Sequence, residues 1–245
     1  MRIDIVTLFP KVCTEYVGES ILKRAGEQGL AEIRVINLRD YTYDRHRTAD
    51  DRPYGGGAGM VLKAEPLFEA VEDLKTPAAR VILLSPRGNL FDQEAALRLS
   101  REEHLVLIAG RYEGVDERVS QALVDEEISV GDYILTGGEL PALAVADSVV
   151  RLLPGVLGDP DSAIDESFAR GRLEYPQYTR PEDFRGMKVP EILLSGDHRA
   201  VDGWRARQAL LLTLKRRPDL LDEYPPDDLE KKWLDEVNRG KDNDR

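Results

Sequence analysis

The sequence is poor in the residues and segments on which several classes of protein depend. One cysteine and three histidines among 245 residues exclude a disulfide framework and an ordinary zinc site. No run of eighteen apolar residues occurs, so no membrane span is predicted. The first ten residues, MRIDIVTLFP, contain two charges and a proline and lack the apolar stretch of a secretory signal. These absences predict a soluble, cytoplasmic protein.

Composition and charge limit the class of protein further. Apolar residues make up 42% of the chain and charged residues 33%, which supports a packed core and excludes a disordered chain. The net charge is −12, yet residues 170–217 contain 11 Lys/Arg against 6 Asp/Glu, and the chain becomes acidic again from Asp219 onward. A locally basic segment fits a solvated helical surface or a phosphate-binding face, and charge alone favours the surface.

The first 150 residues alternate strand-like and helix-like segments. Apolar runs predict strands at residues 3–8, 31–36, 81–84 and 105–108, and periodic or capped segments predict helices at 12–25, 64–74, 92–102 and 139–152. Continuous apolar runs suit strands covered on both faces, and intervening helices imply crossover connections. The sequence therefore predicts an α/β fold with a mostly parallel sheet.

The remainder of the chain differs in composition and lacks the alternation of strand-like and helix-like segments. Residues 154–181 are rich in Gly, Pro and Asp, and residues 200–240 contain three helix-like segments separated by Pro218 and by Pro225-Pro226. We expect an α/β domain of residues 1–152, a linker of residues 153–170 and a small C-terminal helical domain of residues 171–245.

Three loops stand out because each follows an apolar run and contains Gly, Pro or Ser. They are L-L-S-P-R-G at 83–88, A-G-R-Y-E-G at 109–114 and V-G-D-Y-I-L-T-G-G at 130–138. Ligands bind at the carboxyl ends of parallel strands; one such loop is usually an ordinary turn, but three in one domain predict a site.

The glycine-dense segment at 50–60 is neither a P-loop nor a dinucleotide fingerprint. Cys13 has apolar neighbours and is predicted to be a buried structural thiol.

The segment of residues 44–52 is unusually dense in charge. Four cationic or potentially cationic side chains lie among three carboxylates within nine residues. Such a loop suits contact with a polyanion, the acids orienting the cations. A self-paired surface loop without a role fits the segment equally well.

Long motifs in this chain resemble those of one family. They are D-R-H-R-T-x-D-D-R-P-Y-G-G-G-x-G-M at 44–60, L-S-P-x-G at 84–88, G-R-Y-E-G-x-D-E-R at 110–118, G-D-Y-x-L-x-G-G-E-L-P at 131–141, P-G-V-L-G at 154–158 and Y-T-R-P at 178–181. The chain resembles the bacterial tRNA (guanine-N1)-methyltransferases over residues 1 to about 217. The resemblance implies methylation of N1 of the guanosine just 3′ of the anticodon (position 37), a SPOUT-type fold with a deep trefoil knot, a homodimer, and S-adenosylmethionine as methyl donor.

The resemblance also implies the residues that bind the methyl donor, and these fall in the three strand-end loops. They are Leu83, Leu84, Ser85, Pro86, Gly110, Tyr112, Val130, Gly131, Asp132, Tyr133, Ile134, Leu135, Gly137 and Gly138. Most of them offer backbone polar groups, which suit an uncharged adenine edge.

Methylation of guanine N1 requires removal of the N1 proton and stabilisation of charge on O6, so a carboxylate base and a cation are needed. The resemblance implies that Glu166 is the base and Arg151 the cation. The family pattern has an aspartate where this chain has Glu166, within Asp165-Glu166-Ser167. Asp165 is the alternative base after a shift of one residue, and the flanking Ser-Phe favours Glu166.

Contacts to the tRNA anticodon stem-loop are expected from residues in the charged loop, beside the cofactor loops and in the basic segment. They are His46, Asp50, Arg52, Arg111, Arg205, Arg207 and Lys215. The resemblance further implies a magnesium requirement with Glu113 as ligand, and one carboxylate suits an ion that keeps several waters.

Two other functions remain open at this stage. One is a non-catalytic RNA-binding protein on a degenerate methyltransferase scaffold, which would have eroded cofactor loops. The other is a 2′-O-methyltransferase of the same superfamily, which would need neither the D-R-H-R-T loop nor a base in the linker.

Overall fold

The computed structural model of the protein describes residues 1–158 and 166–243. It divides into two compact units, Met1–Gly158 and Asp159–Arg245. Each unit is described by itself below.

The first unit is built around a parallel sheet. Its strands within residues 1–158 are β1 (Arg2–Thr7), β2 (Glu32–Asn37), β3 (Asp50–Asp51), β4 (Val61–Leu62), β5 (Ala79–Leu90), β6 (His104–Ala109) and β7 (Glu126–Ser129). Five of them form one sheet in the order β2-β1-β6-β5-β7, and every neighbouring pair is parallel. The short strands β3 and β4 form an antiparallel pair. The prediction of an α/β fold with a mostly parallel sheet is confirmed.

Helices cover both faces of this sheet. In residues 1–158 the α-helices are α1 (Pro10–Val17), α2 (Ser20–Glu27), α3 (Ala64–Leu74), α4 (Gln93–Leu99), α5 (Glu117–Leu123) and α6 (Glu139–Val150), and a short 3-10 helix spans Leu38–Tyr41. Side chains alternate between the two faces along a strand: Leu105 and Leu107 of β6 pack with residues of α1, α2, α4 and α6, and Val106 and Ile108 pack with residues of α3 and α5. All six residues of β6 are buried, as its continuous apolar run predicts.

The prediction of one helix over residues 12–25 is wrong. The chain forms α1 and α2, separated by Gly18 and Glu19, and Ser20 has a positive φ of 52°. The Gly18 N–H donates to the carbonyl of Thr14 in the last hydrogen bond of α1, and Gly18 is the C-cap residue of this helix. The apolar spacing continues across the break, which is why the pattern alone suggests a single helix.

The strand predicted at 81–84 is longer than its apolar run. β5 continues through Ser85 and Pro86 to Leu90, with a shift in its pairing to β7 between Leu84 and Asn89. Gly88 lies in this irregular stretch, where a Cβ atom would stand 2.3 Å from the Ile128 nitrogen. Only glycine allows the two backbones to approach so closely.

The second unit contains helices and a short hairpin. Its described elements are β8 (Asp183–Phe184), β9 (Met187–Lys188), a short 3-10 helix (Glu191–Leu194), α7 (His198–Arg216), α8 (Asp219–Glu223) and α9 (Asp228–Asn243). Pro218 and Pro225 lie in the breaks between the helices, so the helical segments expected from the prolines are present. Thr213 of α7 is buried and accepts a hydrogen bond from the Leu173 N–H at 2.8 Å. Among the described helices of either unit, none is long and apolar enough to cross a membrane.

Candidate active site

A cleft of about 400 Å³ opens at the carboxyl ends of β6 and β7, beside the irregular stretch of β5 that contains Ser85 and Pro86. The loops that follow β6 and β7 and this stretch of β5 form its walls, much as expected for a ligand site in a parallel sheet. The cleft is lined by thirteen of the predicted cofactor residues, Leu83, Leu84, Ser85, Pro86, Gly110, Tyr112, Val130, Gly131, Tyr133, Ile134, Leu135, Gly137 and Gly138. Asp132 does not line it.

The walls of the cleft are joined by a very close backbone contact. The Gly138 N–H donates to the Gly110 carbonyl at 2.7 Å, and Gly137 forms an antiparallel bridge with Arg111. A Cβ atom on Gly138 would lie 2.7 Å from the Gly110 nitrogen and 2.8 Å from Ala109 Cα. Because both of these neighbours are backbone atoms, this position requires glycine.

A buried carboxylate holds the same loops together. Glu139, the first residue of α6, is 3% exposed and accepts hydrogen bonds from Thr7 Oγ1 at 2.8 Å and from Arg111 Nε at 3.0 Å. Arg111 also donates to the Thr136 carbonyl at 3.1 Å, and its guanidinium lies 4.3 Å from the centre of the Phe9 ring. The arginine therefore connects the loop after β6 to the loop that precedes α6.

The loop after β6 is also fixed to the glycine-dense segment. Glu113 N–H donates to the Met60 carbonyl, and Leu62 N–H donates to the Gly114 carbonyl, both at 3.0 Å. Tyr112 has a positive φ of 57°, a conformation that is uncommon outside glycine and concentrates at functional sites. The tyrosine lies at the cleft with 48% of its surface exposed.

The chain shows extensive similarity to known proteins. Residues 1–223 match the family described as tRNA (Guanine-1)-methyltransferase TrmD. The chain is 59% identical over 238 residues to a tRNA (guanine-N(1)-)-methyltransferase of Geobacillus kaustophilus, covering 96% of this chain and 98% of that protein. It is 57% identical to the enzyme so named in Dictyoglomus turgidum, with 98% and 97% covered, and 54% identical to one in Bacillus cereus, with 98% and 100% covered.

The chain belongs to the tRNA (guanine-1)-methyltransferase family. This confirms the family that the sequence motifs indicate.

Glu113, the expected magnesium ligand, is exposed and lines the cleft. Its side chain approaches Gly59, where a Cβ atom would stand 2.2 Å from Glu113 Oε1. In residues 1–158 and 166–243, no three His, Cys, Asp or Glu side chains come together as a metal-binding group. A magnesium ion at Glu113 would therefore take most of its ligands from water and bound molecules, as this ion commonly does.

The charged loop is only partly self-paired. Asp44 accepts hydrogen bonds from the Thr48 N–H at 2.7 and 2.9 Å, and these bonds hold the pKa of its carboxyl below the usual range. His46 and Arg52 are exposed, and Asp50 begins β3, opposite Leu62. The structure thus leaves His46 and Arg52 accessible to a large ligand.

The expected cation and base lie in different units. Arg151 follows the last turn of α6, where its N–H donates to the Asp147 carbonyl at 3.1 Å. Glu166 borders a cavity of about 650 Å³ in the second unit, together with Arg170, Arg172 and Trp233. The alternative base, Asp165, lies outside the described residues.

The three basic residues expected to contact RNA from α7 do not share one face. Successive helical residues are about 100° apart, so Arg205 and Arg207 lie on nearly opposite sides. Arg207 pairs with Glu236 of α9 at 3.0 Å, Arg205 lies 5.0 Å from the Tyr175 ring, and Lys215 is exposed in the last turn. The three side chains therefore do not form a single phosphate-binding surface on α7.

Sequence reasoning assigned no role to Glu139. The signal available was its position, since an acidic residue directly after Gly137-Gly138 occupies the first turn of a helix, where the helix dipole favours negative charge. Its partners are Thr7 and Arg111, which are distant in sequence and therefore could not be predicted from local pattern.

Proposed function

We propose that this protein transfers a methyl group from S-adenosylmethionine to N1 of the guanosine immediately 3′ of the anticodon, position 37 of tRNA. The observation that carries the proposal is the cleft formed by the loops after β6 and β7 and the irregular stretch of β5, found in a chain that belongs to the tRNA (guanine-1)-methyltransferase family. The loops that would be eroded in a degenerate scaffold are intact.

S-adenosylmethionine supplies the methyl group when it is bound. The predicted loop residues that line the cleft would hold it, mainly through backbone N–H and carbonyl groups. Leu83, Leu84, Pro86 and Leu135 offer apolar surface on which an adenine ring can pack, and the glycines at 110, 137 and 138 keep the backbone accessible. A cleft of this size, mostly apolar with a few polar groups, is typical of small-molecule sites.

The target guanine must lose its N1 proton before or during transfer. We propose that the Glu166 carboxylate accepts this proton, with Asp165 as the alternative, and that the Arg151 guanidinium stabilises the negative charge on O6. A positioned base contributes roughly 10²–10⁴-fold to rate, and a cation at the developing charge is the usual complement.

For contact with the anticodon stem-loop we propose the exposed side chains of the charged loop, His46 and Arg52, with Asp50 beside them. Arg205, Arg207 and Lys215 are proposed as further contacts, each acting at a different place around α7. Arg111 is proposed to contact the RNA as well, and its hydrogen bond to Glu139 also holds the cleft loops in place. A magnesium ion, with Glu113 as its protein ligand, is part of the same proposal.

We further propose that the cleft is part of a trefoil knot and that the enzyme is a homodimer. The support for the knot is the return of the chain after β7, across β5, to pair Gly137 with Arg111 at the end of β6. The support for the dimer is exposed apolar surface on and near α6, including Ile134 at 81% and Leu140 at 58% exposure.

Mass mapping of methylated nucleosides in a tRNA transcript treated with the purified protein and S-adenosylmethionine tests the proposal. We expect 1-methylguanosine at position 37 and none when that position is changed to adenosine. A 2′-O-methylated nucleoside would identify the alternative transferase, and binding of tRNA without any methylation would identify a non-catalytic RNA-binding protein.

A further inference from the structure

The second unit contains a cavity that none of the proposed catalytic or cofactor roles uses. It has a volume of about 490 Å³ and lies between residues 175–182 and helix α7, within the size range of pockets for small organic groups. Aliphatic side chains, Val189, Leu193, Leu194 and Val201, supply part of its lining.

Aromatic rings form another part of the lining. Tyr178 and Trp204 have ring centres 6.3 Å apart and planes inclined by 56°, and Tyr175 also borders the cavity. Tyr178 is 49% exposed, so its ring is not sealed into a core. An inclined pair of this kind presents ring surface to a third planar group.

Positive charge accompanies the rings. Arg180 and Arg205 line the same cavity with one acid, Glu182, and Asp202, one turn before Arg205 on α7, lies 3.6 Å from Arg205 Nη1. Arg205 lies 5.0 Å from the Tyr175 ring, and its Nε atom is buried with no hydrogen-bond acceptor among the described residues. A buried donor without an acceptor is unfavourable, and an oxygen of a bound ligand would relieve it.

We propose that this cavity binds an unpaired base of the RNA substrate, stacked on Tyr178 and Trp204, with its phosphate near Arg180 and Arg205. Sites that bind single-stranded nucleic acid commonly combine aromatic rings with arginines. The rings stack on the faces of the bases, and the arginines contact the phosphates. The surrounding segment, residues 170–217, contains more Lys/Arg than Asp/Glu. This local positive charge favours a polyanion such as RNA as the occupant over a peptide with few acidic residues. The proposal rests on the proposed function for the identity of the RNA.

The first experiment measures the contribution of one ring to binding. Tyr178→Ala should weaken binding of a tRNA transcript by roughly 5- to 150-fold, the range for loss of one stacked base. The slope of affinity against salt should not change, because a stacking ring neutralises no phosphate. The matched control is Phe184→Ala, which removes a ring of similar exposure, 53%, from β8 outside the cavity lining and should leave binding unchanged.

The second experiment observes the base directly. The chain has two tryptophans, so Trp233→Phe leaves Trp204 as the sole indole. Its fluorescence should be quenched when the tRNA transcript binds, and a fully paired RNA duplex should not quench it. Replacing Tyr178 with Phe should preserve both the affinity and the quenching, because phenylalanine still stacks.

These measurements separate this proposal from the proposed function. If wild-type protein methylates tRNA but Tyr178→Ala binds it as tightly as wild type, or Trp204 fluorescence is unchanged on tRNA binding, the base-binding cavity is refuted and a protein partner becomes the better occupant. If wild-type protein methylates no guanosine, the proposed function fails, and quenching with weakened binding would still establish the cavity as an RNA site.

Discussion

Arg111 Nε lies 3.0 Å from Glu139 Oε2, and this contact ties the loop that follows β6 to the first turn of α6. The carboxylate is almost fully buried, and the arginine side chain is 20% exposed. Thr7 Oγ1, from the end of β1, donates to the same carboxylate. The end of β1, the loop after β6 and the first turn of α6 therefore all depend on this one carboxylate.

Replacing Glu139 with Ala should destabilise the first unit by about 3 kcal/mol, the low end for breaking a buried ion pair, because Arg111 keeps some access to water. S-adenosylmethionine affinity should fall as well, since the loop of residues 136–138 loses its anchor. Urea denaturation gives the first quantity and calorimetric titration the second.

The control for this change is Glu65→Ala. Glu65 is 72% exposed on its side chain and stands 4.0 Å from Lys63, so its removal should alter stability by no more than about 0.5 kcal/mol. Equal effects of the two substitutions would mean that the buried contact has no special importance.

The elements that could be predicted from sequence are those whose signal is local. β6 is recognisable because the five residues after His104 form a continuous buried apolar run, and α4 because Asp92 caps it by accepting from the Ala95 N–H at 2.8 Å. The loop at 130–138 implies a strand before it, but the bounds of β7 are not predicted, because two of its four residues are glutamates. Their partners, Arg98 for Glu126 and Arg87 for Glu127, come from elsewhere in the chain.

The same distinction applies to the candidate site. Loop composition predicts which segments line the cleft, since Gly, Pro and Ser after an apolar run are visible in the sequence. The contact between Arg111 and Glu139 requires knowing that the chain returns from the end of β7 to the end of β6. No local pattern contains that information.

Gly138→Ala should abolish measurable binding of S-adenosylmethionine and destabilise the fold by about 1–3 kcal/mol, the usual range for overpacking. The reason is that the added Cβ would meet backbone atoms of Gly110 and Ala109 at 2.7–2.8 Å, which cannot move without displacing the end of β6. Calorimetric titration and thermal unfolding measure the two effects.

Gly26→Ala is the matched control for Gly138→Ala. Gly26 lies in α2 of the same unit, and its nearest neighbour to an added Cβ, the Ala31 carbonyl, is at 3.8 Å. Alanine there should stabilise the helix by roughly 0.5–1 kcal/mol and leave donor affinity unchanged. Normal donor affinity in Gly138→Ala would show that the close backbone contact is unimportant for the site.

The single cysteine should be unreactive in the native protein. Burial, followed by the negative charge of Glu139, raises the pKa of the Cys13 thiol to about 11, and reactivity requires the thiolate. Thiol reagents at pH 8 should label Cys13 only after denaturation, which a titration of free thiols with and without urea will reveal.

The raised pKa also predicts a loss of stability in base. The contribution of the protonated thiol is fully present below its unfolded-state pKa, near 9, and is lost as the pH rises toward the folded value of about 11. Between pH 8 and pH 10.5 the urea midpoint should fall further in wild type than in Cys13→Ala. Parallel decreases in both proteins would rule out this thiol as a source of the pH dependence.

In the proposed homodimer, we predict that Glu166 of one subunit acts at the cofactor cleft of the other. Gly110→Val should disable the cofactor cleft, because even a Cβ atom there stands 3.3 Å from the Leu84 carbonyl and the branched methyls add further bulk. Glu166→Gln should keep the side chain's shape while removing the proposed base. Each homodimer alone should be nearly inactive in single-turnover methylation of tRNA.

Mixing the two inactive proteins after reversible dissociation distinguishes sites shared between subunits from sites within one subunit. If Glu166 acts on the cleft of the partner, a heterodimer contains one site with both substitutions and one with neither, so activity should return, limited to one working site per heterodimer. If each site is formed within one chain, every site keeps one substitution and the mixture stays inactive. Pulldown through a tag on one subunit verifies that heterodimers formed, so that an inactive mixture counts against the shared site rather than against the exchange.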